Sequence, residues 1–276
     1  MKSILTIFAL LFALSATAKK PPVTEEEYLR ADSALWLEYE AFGARLYEQA
    51  EANPELADSL EMAAEVELER VLERVLERNA QLALQYAATP SGLKRCFMVR
   101  LDVPKDTLRR VLRTLPRQMR QSTYGLAIQQ HIRTRQVVEG RRAPHIAAVN
   151  EAGEKFDLRA LEGRRVLLLY GGLGCMGRQG RAYVADLYAK TTREDLEIVV
   201  YWSVETVEQL KELKAHYNVD YQFVTECMAD CSPFKIEYGV QATPTCFLID
   251  RDGRVLVKSE GLDPERFDAI LFRGEE

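Results

Sequence analysis

Histidine is scarce in this chain, with three residues in 276. His131, His145 and His216 stand far apart, which leaves few nitrogen ligands for a metal centre. Beyond residue 18 no apolar run is long enough to cross a bilayer. The chain has no internal repeat and no low-complexity tract. A net charge of −5 is too mild and of the wrong sign for a nucleic-acid partner. The sequence therefore calls for no metal, no nucleic acid and no membrane-spanning body, and nothing in it calls for a cofactor.

What is present begins with a leader pattern. Lys2 gives a short positive start, Ile4 to Ala16 is apolar except for Thr6 and Ser15, and Ala16-Thr17-Ala18 is a small-x-small cleavage site. Residues 1–18 are expected to act as a signal peptide that is removed, leaving a periplasmic protein. No cysteine lies near that site to carry a lipid. The remainder suits one large domain or two modest ones, and 47% hydrophobic residues can build a sizeable core. Five cysteines in an exported chain matter more, since disulfides persist outside the cytosol and an odd count leaves a thiol over.

Residues 19–139 read as an all-helical region. Thr24-Glu25-Glu26-Glu27 is a capping box, and Tyr28, Leu35, Trp36, Tyr39, Phe42 and Leu46 follow at helical spacing. Pro54 marks a new helix start. Val71, Leu72, Val75 and Leu76 form the stripe of the next helix, which Thr89-Pro90 is expected to end. Pro104 opens a helix carrying Leu108, Val111, Leu112 and Leu115, Pro116 interrupts it, and a last helix is expected from about Tyr124 to Val138. Charge is divided unevenly: 16 acids against 4 bases from Thr24 to Glu77, then 13 bases against 3 acids from Lys94 to Arg142. These opposite fields favour packing of the two parts, or a basic face that docks an acidic partner.

After Gly140 the period changes. Val166–Leu169, Ile198–Trp202 and Tyr221–Val224 read as strands, separated by helices near Arg178–Lys190 and Thr206–Tyr217. Cys246–Ile249 and Arg254–Val257 flank the turn signal Asp250-Arg251-Asp252-Gly253 and read as a hairpin. Alternating strands and helices with a closing hairpin imply an α/β domain, a mixed sheet with helices on both faces.

Three segments of this half resemble the thioredoxin superfamily, in particular the exported TlpA-like and AhpC/TSA-like thiol-disulfide proteins of Bacteroidetes type. Gly140-Arg141-Arg142-Ala143-Pro144 is similar to the family's G-x-x-A-P opening. Residues 153–163, GEKFDLRALEG, resemble the stretch that leads into its first core strand. Tyr238 to Leu256, YGVQATPTCFLIDRDGRVL, is the most specific match. The resemblance covers 140–276 and implies a thioredoxin-like domain there. TYGLAIQQHI, just before it, is weakly similar to the helix that precedes the domain in many of these proteins.

The resemblance also implies where the chemistry sits. The family's W-C-x-x-C follows its first core strand; here that position reads Gly174-Cys175-Met176-Gly177-Arg178. Cys175 aligns with the attacking cysteine, Arg178 replaces the second cysteine and Gly174 replaces the tryptophan, so the motif is a degenerate CxxC. A helix N-terminus and the guanidinium of Arg178 are expected to favour a Cys175 thiolate. Thr243-Pro244 resembles the family's cis-proline loop, which lies against the attacking cysteine and binds substrate backbone. Cys227 and Cys231 leave two readings open: a local disulfide, or a resolving cysteine for a bond made at Cys175. Placed on one helix, they would share a side. Copper-handling relatives use C-x-x-x-C at the strand–helix junction with a histidine, which is not its place here. Cys96 and Cys246 are expected as buried apolar fillers.

Three functions follow. The first is a thiol-disulfide oxidoreductase with Cys175 as its single nucleophile, acting on client protein thiols or disulfides with an outside reductant. The second is a catalytically inactive binding module on the thioredoxin fold. The third, thiol peroxidase, ranks last, because the segment before Cys175 lacks the proline and threonine of P-x-x-x-T-x-x-C.

Overall fold

A computed structural model describes residues 23–52 and 57–272; the expected signal peptide and Pro54 lie outside the described residues. The chain divides into two compact units, Met1–Val75 and Leu76–Glu276.

In the first unit, helix α1 (Glu25–Ala52) opens with the expected capping box: the Thr24 and Glu27 side chains each accept from the other's backbone N–H, at 3.2 and 2.9 Å. Helix α2 (Ala57–Gln85) begins in this unit and runs into the second. Leu35, Val71 and Val75 are buried together, with Trp36, Tyr39 and Phe42 packed partly against them. Leu76 leaves the expected stripe and is 48% exposed, because one residue turns the helix through about 100°.

After the end of α2 the second unit continues with short helices: α3 (Pro90–Met98), α4 (Lys105–Thr114), α5 (Arg117–Arg120) and α6 (Thr123–Arg133). Leu93, Phe97, Leu108, Leu112 and Ile128 form their core. Thr89-Pro90 proves to be a helix start. α2 stops at Gln85, and the Thr89 hydroxyl caps α3 by accepting from Gly92 N–H at 3.1 Å, with Pro90 in the first turn. The last helix ends at Arg133 instead of Val138. The chain beyond it is extended, and Val137 N–H donates to the Glu237 carbonyl at 2.9 Å. A β-branched side chain buried against another segment outweighs the helical pattern there.

The sheet has seven strands in the order β2-β1-β5-β4-β3-β6-β7. They are β1 (Ala147–Asn150), β2 (Lys155–Asp157), β3 (Arg165–Tyr170), β4 (Leu196–Tyr201), β5 (Gln222–Thr225), β6 (Thr245–Ile249) and β7 (Val255–Glu260). β3, β4 and β5 are parallel; the other pairings are antiparallel. The mixed sheet flanked by helices is the expected fold class, and the β6–β7 hairpin stands where the turn signal put it. The short β1–β2 pair adds an antiparallel edge that the sequence pattern had not marked as strand.

Helices α7 (Gly177–Lys190), α8 (Val207–Tyr217) and α10 (Pro264–Leu271) share one apolar cluster with the sheet. Alternate residues of β3 divide between clusters: Leu167 and Leu169 meet that one, while Val166, Leu168 and Tyr170 meet a second with α9 (Pro233–Glu237). α9 also reaches the short helices. Its Phe234 belongs to the sheet cluster and its Ile236 to the cluster of α3–α6. The change of pattern at Gly140 therefore falls inside a packed unit.

His131 is the one histidine in that shared interior. It is 2% exposed, and its Nδ1 lies 3.2 Å from the Gln136 amide nitrogen. Burial first, then the charges of Arg100 and Lys105, push its pKa down to about 4. The unfolded imidazole takes a proton near pH 6.5 that the folded one refuses until about pH 4. Its contribution is therefore complete above pH 6.5 and is lost as the pH falls toward 4, a loss of roughly 3 kcal/mol. Urea midpoints measured across that range should fall steeply for the wild type and less for His131→Gln; equal slopes would sink the assignment.

Candidate active site

β3 is buried along its length and ends at Tyr170, which registers with Tyr201 of β4 on one side and Thr245 of β6 on the other. Two loops leave the sheet at that level. The first runs Gly171-Gly172-Leu173-Gly174-Cys175-Met176 into α7. Gly171 and Gly172 have φ values of 53° and 84°, which side chains rarely tolerate. A Cβ on Gly172 would lie 2.4 Å from the Pro244 Cβ, so only glycine lets the two loops touch. Leu173 is buried, and its carbonyl accepts from Arg181 Nη1 at 3.1 Å. Cys175 and Met176 N–H both donate to the Gly172 carbonyl at 2.9 Å. That tight turn delivers the chain to α7, whose cap residue is Met176.

The second loop carries Thr243-Pro244, and the peptide bond between them is cis. The Thr245 hydroxyl donates to the Ala242 carbonyl at 2.7 Å, and Gly261 N–H donates to the Pro244 carbonyl at 2.8 Å. The helical region braces the same loop from behind. Arg100 is fully buried and donates to the carbonyls of Phe97, Lys235 and Val240 at 3.0, 2.8 and 2.6 Å. Burial pulls its pKa down to about 10, which still leaves it charged. Leu101 N–H donates to Gln241 Oε1 at 3.1 Å, and the Gln241 amide donates to Asp102 at 2.5 Å.

Cys175 is exposed where these loops meet, with its Sγ 3.7 Å from the Thr243 Oγ1. The structure thus brings together Cys175, Thr243 and Pro244. Arg178 lies in the first turn of α7, exposed, with no hydrogen bond or ion pair among the described residues. A stacked aromatic pair flanks the Cys175 loop: Trp202 just after β4 and Tyr217 at the end of α8, with ring centroids 5.7 Å apart. A Cβ on Gly174 would meet the Tyr217 hydroxyl at 3.0 Å, and one on Gly171 would meet the Trp202 ring at 3.8 Å. Sequence spacing gave no sign of these two rings. The one clue was that Trp202 follows the carboxyl end of a parallel strand, where open α/β sheets place their sites.

Cys227 and Cys231 are not on one helix, so their four-residue spacing does not place them on a common side. Cys227 and Ala229 have φ values of 53° and 46°, and only Ala229–Cys231 forms a single 3-10 turn. Both are free thiols, and neither has a hydrogen-bond contact with Cys175. Cys231 packs against the cluster of α3–α6, and burial, then the Asp230 charge, push its pKa up to about 11. Burial, then Glu208, also raises that of Cys227. Cys96 and Cys246 are buried as expected, each with its thiol pushed up by burial to about 12. No cluster of metal-ligating side chains occurs among the described residues.

The family model described as Redoxin matches residues 138–270. The chain is similar to a thiol-disulfide oxidoreductase ResA of Bacillus cereus, 30% identical over 125 residues, or 44% of this chain and 69% of that protein. ResA of Bacillus thuringiensis subsp. konkukian (strain 97-27) is 28% identical over 123 residues, with the same shares covered. Among solved structures, a thiol-disulfide oxidoreductase from Bacteroides fragilis NCTC 9343 aligns with a TM-score of 0.41 and 18% identity, covering 49% of this chain and 98% of that one.

Burial sorts the five thiols. With a short pulse of iodoacetamide near pH 8, Cys175 should be alkylated first and Cys96 and Cys246 only after unfolding, as read by peptide mass spectrometry; early labelling of Cys246 would contradict the packing. Gly172→Ala should cost about 2 kcal/mol or more in a urea titration, through a strained φ and a clash with Pro244. An unchanged midpoint would mean that the loops are not in contact.

Proposed function

This chain is a TlpA-like member of the thioredoxin superfamily, and on that premise we propose that it is a thiol-disulfide oxidoreductase with Cys175 as its single nucleophile. The observation that carries the reading is the placement of an exposed Cys175 Sγ 3.7 Å from Thr243, beside a cis-proline loop. In the forward step the Cys175 thiolate attacks one sulfur of a client disulfide. A bond forms between Cys175 and that sulfur, and the other client sulfur leaves as a thiolate. An outside thiolate then attacks the client sulfur of the mixed disulfide and releases Cys175 as a thiolate. Thr243 and Pro244 hold the client backbone. Arg178, in the first turn of α7, supplies positive charge on the thiolate side of the helix. Cys227 and Cys231 form a local disulfide that fixes their loop, or one of them resolves the mixed disulfide made at Cys175.

The leader pattern of residues 1–18 supports export to the periplasm, where client disulfides exist. On this reading the helical region runs from 19 to 139 and the thioredoxin-like domain from 140 to 276. A second reading, an inactive binding module, draws on Arg178 standing where a dithiol cycle needs a cysteine.

The two readings separate in one experiment. Incubation with an aromatic disulfide such as DTNB should leave an adduct on Cys175, and Cys175→Ser should lose it. Arg178→Cys should create a dithiol and raise insulin-disulfide reduction by roughly tenfold or more over the wild type, since the second thiol resolves the mixed disulfide within the molecule. Failure of Cys175 to form the adduct would overturn the redox reading in favour of the binding module.

A further inference from the structure

Helices α4, α5 and α6 enclose a surface groove of about 620 Å³ whose lining shares no residue with the Cys175 site. Its rim carries Arg109, Arg113, Arg117, Arg120 and Arg133, all exposed. Arg109 pairs with Asp106; the other four have no ion pair among the described residues. Between them the lining has apolar side chains, Leu112 buried, Ile132 half-buried and Leu126 53% exposed, beside Gln121 and Gln129. Guanidinium forks match carboxylates in two-point geometry, and a half-exposed leucine among them calls for an apolar group on the same ligand.

One exposed stripe of α1 has that combination. Leu29 and Leu37 are 51% and 60% exposed. Glu40, Glu48 and Glu51 continue the stripe at helical spacing, exposed and without an ion pair among the described residues. The walls of the groove, α4 and α6, have 10 and 11 residues, or about 15 Å of helix, which is the length of the stretch from Leu37 to Glu48. We propose that the arginine groove of one copy receives the acidic stripe of α1 from a second copy, so that the protein self-associates through carboxylate–guanidinium pairs around a leucine contact. A concave groove lined by arginines and leucines suits an amphipathic helix better than a flat anionic surface. The contact joins two different surfaces, so it is heterologous and closes a ring or extends a chain according to its rotation.

Sedimentation of the purified protein over a range of concentrations tests this. The wild type should self-associate at about 0.05 M NaCl, and its association constant should fall roughly tenfold or more by about 0.5 M. The variants Arg113→Glu/Arg117→Glu/Arg120→Glu and Glu40→Arg/Glu48→Arg/Glu51→Arg should each sediment as monomers while keeping the wild-type circular dichroism. Mixed together, they should restore association, because the reversed charges match again. A wild type that is monomeric throughout overturns the proposal. So does association that survives either variant, or binding of the wild type to phosphatidylglycerol vesicles with no self-association.

Discussion

The register of β3 is the constraint from which the site follows. Tyr170 sits opposite Tyr201 in a parallel ladder and opposite Thr245 in an antiparallel one. Because both neighbours are locked to a strand buried on both faces, the chain must leave β3 at the level where Thr243 and Pro244 enter β6. A shift of one residue would turn the apolar side chains of β3 to the wrong clusters. The contact of Gly172 with Pro244 then sets how closely the two loops approach. The exposed thiol follows two residues after Leu173, which is anchored in the interior.

The helical region takes part in that geometry. The fully buried Arg100 commits its guanidinium to three backbone carbonyls, two of them just ahead of the proline loop. The Phe97 and Lys235 carbonyls also accept from backbone N–H groups, so removing the guanidinium strips its donor from the Val240 carbonyl, a loss that costs more than the hydrogen bond contributes when present. Gln241 ties the same segment to Leu101 and Asp102. α9 divides its apolar side chains between the sheet and the short helices. The short helices are thus structural support for one of the two loops, which gives the segment from Leu76 to Val138 a physical role in an α/β domain.

A thiol site needs exposure, and this chain separates its cysteines accordingly. Cys96 and Cys246 are core atoms held neutral by burial, and Cys231 is half way to that condition. Cys175 alone is exposed. Around it, two aromatic rings, one just after β4 and one from α8, stand beside the place where Gly174 offers no side chain.

After Gly140 the apolar pattern placed β3 to β7 with helices α7 and α8 and the closing hairpin, while Cys175 and the proline loop came from the resemblance to the thioredoxin superfamily; β1, β2, α9 and α10 carried no such pattern. The patterned elements are carried by local signals: period-two and period-three-to-four apolar patterns and a turn tetrapeptide. Local signals failed where packing decided. Val137 left the helical pattern because its burial site lay on another segment, and Leu76 turned outward because a stripe of four residues is wider than the contact it served. The left-handed backbone at Cys227 and Ala229 undid a helical spacing that only a helix would make meaningful. Tertiary structure alone decided that Trp202 and Tyr217 reach the Cys175 loop and that Arg100 braces the proline loop from 135 and more residues away in the chain. Such contacts join segments whose separation no local pattern encodes, because their energy comes from burial and register rather than from neighbouring residues.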